Sequence, residues 1–102
     1  HGHAVAMLMS ETARITFRKL NDDKKLVFNK LFDLFNVSNI DGFCNKWHYL
    51  MNKSNLSISA KDFGVKNNHL KFISENVNLE RLKGHPVKLT DNELFRIVSK
   101  IL

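Results

Sequence analysis

A chain of 102 residues with 43% hydrophobic and 25% charged residues has the length and balance of one small globular domain. That balance argues against a fibrous, disordered or low-complexity chain, as do one Pro and four Gly. No apolar run is long enough to span a membrane, and no stretch has the pattern of a signal peptide. The net charge of +6 permits attraction to an anionic partner. The basic residues are scattered, however. The one dense stretch, Arg18 to Lys25, contains Asp22 and Asp23 and has no interleaved aromatic residues on which bases could stack. Nucleic acid is therefore not the expected partner. A single cysteine, Cys44, excludes an internal disulfide and fits a reducing cytoplasm.

In chain order, residues 4 to 20 predict a helix. Ala4 to Met9 is unbroken apolar sequence, and Ala13, Ile15, Phe17 and Leu20 follow it. Apolar surface on nearly all sides predicts that this helix is buried at its start. If the neighbours that would bury it are missing, an exposed patch around Ala4 to Met9 is expected instead. Asn21-Asp22-Asp23 reads as a stop and a new N-cap. The second helix runs to about Phe35. Val27, Leu31, Leu34 and Phe35 form its apolar stripe, which Phe28 and Phe32 widen. Asn36 to Asn39 breaks it, with Ser38 as cap of a third helix and Asp41 near the positive end of its dipole. Ile40, Phe43, Cys44, Trp47, Leu50 and Met51 make the cleanest amphipathic pattern in the chain.

Asn52 to Lys66 is irregular, and reads either as a short strand through Leu56 and Ile58 or as an extended loop over a helical core. Lys66 to Glu75 predicts a short helix with Leu70 and Ile73 inward, and Leu79 to Leu82 a further turn. Gly84-His85-Pro86 is a break. Thr90 and Glu93 form a capping box, after which Leu94, Ile97, Val98 and Ile101 line one face of the last helix. The expected class is all-α, a bundle of about five helices in a single domain over residues 1–102.

The opening His1-Gly2-His3-Ala4-Val5-Ala6-Met7 resembles the metal-ligand helix of the iron-containing alcohol dehydrogenases and the related dehydroquinate synthases. In those families an H-G-x-A-x-A segment begins a helix of the helical second domain, and its first His binds the metal. The resemblance makes His1 a metal ligand. Ala4 and Ala6 match the family's small residues. Ala4-Val5-Ala6 is closer to the synthase pattern than to the A-N-A of most dehydrogenases. His3 stands where the synthases usually carry Glu, so a synthase reaction is not implied. Asn78-Leu79-Glu80-Arg81-Leu82, then His85-Pro86-Val87-Lys88-Leu89-Thr90 and the capped helix, resemble the dehydrogenase C-terminus, with His85 in place of the common Asn. The middle of the chain, residues 21 to 75, supports only a helical reading.

The resemblance implies the last part of a larger enzyme, one that moves a hydride between NAD(P) and an alcohol or aldehyde at an iron or zinc centre. The Gly-rich nucleotide-binding half and the other metal ligands are not in this sequence, so the chain alone is expected to be inactive, with no catalytic or cofactor-binding residues of its own. Its expected partner is the missing N-terminal part, or a second copy through the apolar face.

Other readings of the same residues stay open. His1-Gly2 also fits the remnant of a purification tag. His1-Gly2-His3 at a free amino terminus could take copper or nickel. Cys44, on an apolar face, reads as a small buried hydrophobe rather than a nucleophile. His48 and His69 read as helix-surface residues, and Glu11 as a surface or salt-bridged carboxylate. The alternative function is a free-standing basic helical module that binds an acidic partner or nucleic acid.

Overall fold

The computed structural model describes residues 2–75 and 84–102. Five α-helices are found among them: α1 (Gly2–Lys19), α2 (Asp22–Phe35), α3 (Ile40–Lys53), α4 (Leu70–Glu75) and α5 (Asp91–Ser99). Two 3-10 turns, Ala60–Phe63 and Asn67–His69, lie between α3 and α4. No strand occurs among the described residues, so the all-α class holds. The predicted turn at Leu79 to Leu82 lies outside the described residues, as does His1.

Local chemistry sets most helix ends. Asn21 is extended, and its side chain accepts from the Lys24 amide at 2.9 Å, as the N-cap of α2. Asn36 closes the same helix in the left-handed region at φ 55°, a conformation Asn tolerates better than most residues. The cap of α3 is Asn39 rather than Ser38: its Oδ1 accepts from the Gly42 amide at 2.8 Å. Ser38 stands one residue too early to satisfy that donor. Thr90 and Glu93 form the expected capping box of α5, at 3.2 and 2.8 Å.

α1 packs chiefly on α3, and also on α5, while α4 packs on α5 and α2 on α3. One core lies where α1, α2 and α3 meet. Ala13, Phe32, Phe43 and Cys44 are buried there, enclosed by residues such as Phe17, Phe28, Phe35 and Trp47. The rings make edge contacts, Phe17 to Phe28 with centroids 5.2 Å apart and Phe35 to Phe43 at 5.1 Å. Phe43 stacks on Trp47 at 6.2 Å. The indole nitrogen of Trp47 donates to the Ala6 carbonyl at 2.8 Å, which fixes α3 against the first turns of α1.

The stripe on α2 differs from the expectation. Phe28, Leu31, Phe32 and Phe35 face the core, whereas Val27 and Leu34 are 67% and 83% exposed. Both sets have helical spacing. The set with three aromatic rings wins because it removes more apolar area from water.

The start of α1 also departs from its reading. Gly2 and Ala4 are exposed and Val5 is 47% exposed, whereas Ser10, Ala13, Ile15 and Thr16 are buried. The other elements close over residues 10 to 16 and leave Ala6 to Met9 half-buried, with Gly2, Ala4 and Val5 bare at the start. The resulting body is thin, 37 × 32 × 19 Å. Its radius of gyration, 14.2 Å, exceeds the about 13 Å typical of a compact chain of this size.

Candidate functional site at the start of the first helix

His3 is held by its surroundings. Its Nε2 lies 2.7 Å from the Ser57 carbonyl. A carbonyl only accepts, so Nε2 donates in this bond. The ring meets Phe63 edge-on with centroids 5.1 Å apart. His3 thereby ties the helix start to the irregular segment after α3. Of the two readings of that segment the loop over the helices holds and the strand does not: the Ala60 amide also donates to the Ile101 carbonyl, so the loop is tied to α1 and to the end of the chain.

An apolar cavity of about 410 Å³ opens beside His3. α1 contributes Ala4, Met7 and Leu8 to its wall, and the 3-10 turn contributes Ala60 and Phe63. Ile73 of α4 faces it, and Val98 and Ile101 close the far side. A second hollow, of about 180 Å³, lies on the other flank of α1 between Ala6, Trp47, Leu50 and Leu56.

The described residues do not form a metal site by themselves. No group of three or more His, Cys, Asp or Glu side chains comes together among them, whereas a catalytic zinc or iron centre takes about three protein ligands. The predicted ligand, His1, lies outside the described residues.

Glu11 is salt-bridged, as expected. Its carboxylate lies 3.4 Å from Arg96 Nε and 3.8 Å from Arg14 Nε, and its side chain is mostly buried. Arg14 also pairs with Asp41, which raises the guanidinium pKa above its ordinary value. Lys19 bridges Glu93 at 2.7 Å. Several of the cations that give the chain its positive charge are thus held in ion pairs.

Cys44 is 1% exposed, and its thiol points at the Ser10 carbonyl at 3.4 Å. Burial pushes its pKa up, so it lacks the thiolate a nucleophile needs. His69 is exposed and accepts from the Lys66 amide at 3.1 Å, and His48 is half-buried on α3.

Sequence reasoning assigned His85 no role. Its Nε2 lies 2.8 Å from the buried Thr16 hydroxyl, and burial lowers its pKa. The sequence carried no signal of that pairing, because 69 residues separate the partners.

No family model matches the chain, and no curated protein or solved structure matches it.

Proposed function

We propose that this chain is the helical C-terminal part of a metal-dependent alcohol dehydrogenase-like oxidoreductase, whose whole form transfers a hydride between NAD(P) and an alcohol or aldehyde. His1 is one metal ligand in that reading, and the remaining ligands and the nucleotide site belong to a preceding half. The observation that carries it is the H-G-H-A-V-A opening, joined in the right order to the Asn78–Leu82 and Pro86–Thr90 pattern near the other end.

Physical features support the same reading. The segment that bears the motif is apolar, yet Ala4 and Val5 are exposed. The body is only 19 Å thick, about two layers of helices at the 8–10 Å spacing of packed helices. Those exposed residues are where a further layer of a larger helical domain would pack. No three metal-ligating side chains come together among the described residues, so this reading expects no activity from the segment alone.

The test is to express this segment alone, and joined to whatever coding sequence precedes it, and to measure bound iron and zinc and aldehyde-dependent NAD(P)H oxidation. The reading requires metal and turnover in the joined protein, with both lost in His1→Ala. It fails if the preceding sequence encodes no nucleotide-binding half, or if metal content does not respond to His1→Ala.

A further inference from the structure

The cavity beside His3 has the size of a small-molecule site, within the range of about 300–1,000 Å³ typical of ligand pockets. Its composition is unusual for such a site. Among the described residues that line it, His3 is the one polar side chain, and none is Lys, Arg, Asp or Glu. The His3 ring is already committed through Nε2 to Ser57.

Two small residues create the room. Ala4 on α1 and Ala60 on the 3-10 turn both line the cavity. Longer side chains at those positions would reach into it. Ala60 is fixed there by the bond from its amide to the Ile101 carbonyl.

We propose that this cavity is a binding site for an uncharged aliphatic chain of roughly eight to twelve carbons. The length follows from about 30 Å³ per heavy atom, the share of a water in the liquid, with incomplete filling of the cavity. The uncharged character follows from the lining. A carboxylate or ammonium placed there would lose its hydration and meet no side chain of opposite charge among the described lining residues. A single hydroxyl fits only beside His3, the one polar side chain among the described lining residues. The aliphatic walls formed by Met7, Leu8, Ile73, Val98 and Ile101 gain free energy in proportion to the apolar area a chain would cover. The assignment rests on the cavity alone and stands whether or not the oxidoreductase reading does.

The experiment is a titration of the full chain with 1-decanol, followed by methyl NMR, with decanoate as the charged control. Saturable shifts confined to the methyls of Met7, Leu8, Val98 and Ile101 are expected, with decanoate at least ten-fold weaker. Ala4→Phe fills the cavity from an exposed helix position, so it leaves the fold intact and weakens decanol at least ten-fold. Ala4→Leu gives an intermediate loss. Unchanged helicity by circular dichroism confirms that both variants are folded.

Three results would overturn the site. The cavity methyls could stay unmoved up to the solubility limit of decanol. Decanoate could bind as tightly as decanol. The shifts could depend on protein concentration without decanol, which would mean that a second copy of the chain fills the cavity.

Discussion

Phe43 and Leu34 look alike in sequence, each an apolar residue on an amphipathic helix, but the structure gives them opposite weights. Phe43 is 2% exposed and touches the rings of Phe35 and Trp47. Phe43→Ala removes a buried ring and leaves a cavity, which costs about 3–5 kcal/mol. Loss of two aromatic contacts places this site toward the upper end of that range. Total stability for a chain of this length is on the order of 5–15 kcal/mol, so the variant loses a large share of it. Leu34 is 83% exposed, and Leu34→Ala changes stability by no more than about 0.5 kcal/mol. Urea unfolding followed by Trp47 fluorescence reads both, since the indole stacks on Phe43. A loss below about 1 kcal/mol for Phe43→Ala, or an equal loss in the two variants, would refute the three-helix core and return Leu34 to the buried stripe.

Three further outcomes are expected. His85 has a lowered pKa in the folded chain because of burial. The unfolded chain therefore binds the proton more tightly. The stability tied to neutral His85 is complete above its ordinary pKa of about 6.5 and declines as the pH falls below it. Denaturant melts between pH 8 and 5 should show a decline that is smaller in His85→Gln, and an identical pH profile in the two proteins would exclude the assignment. Cys44 should react with a thiol reagent at neutral pH only as fast as the chain opens, and rapid labelling of the native chain would show that the thiol is accessible. Thr90→Ala removes the α5 cap and should cost about 1 kcal/mol, seen as a lower urea midpoint, whereas Thr90→Ser should recover most of it.

Local signals were legible in the sequence where the structure is local. The capping box at Thr90 and Glu93, the Asn21 cap and the Asn36 stop each depend on residues within four positions of one another. The α3 cap was displaced by one residue because Ser38 and Asn39 are both competent caps and only backbone geometry selects between them. The α2 stripe was ambiguous because residues 27, 31 and 34 and residues 28, 31, 32 and 35 share a helical period, and the aromatic contacts that decide are tertiary. Residues 54 to 69 were unreadable for a different reason. What fixes them is distant in sequence: His3 on Ser57 and Ile101 on Ala60. The cavity was invisible for the same reason, since its walls come from α1, the 3-10 turn, α4 and the end of the chain. The metal reading depends on His1 and on the likeness of its neighbours to a family motif, which no periodicity could supply.

The packing of α1 on both α3 and α5 bears on how the chain folds as it is made. α2 and α3 are joined by four residues, Asn36 to Asn39, and can form their aromatic contacts early because the loop between them is short. Within this segment α1 is made before the helices it packs on, and one of its faces waits for a helix that ends at Ser99. That face stays uncovered until α5 has been made, an interval in which nascent chains are prone to mispairing. A chaperone or a cotranslational partner that shields the first ten residues would therefore raise the yield of folded chain more than one that acts on the aromatic core.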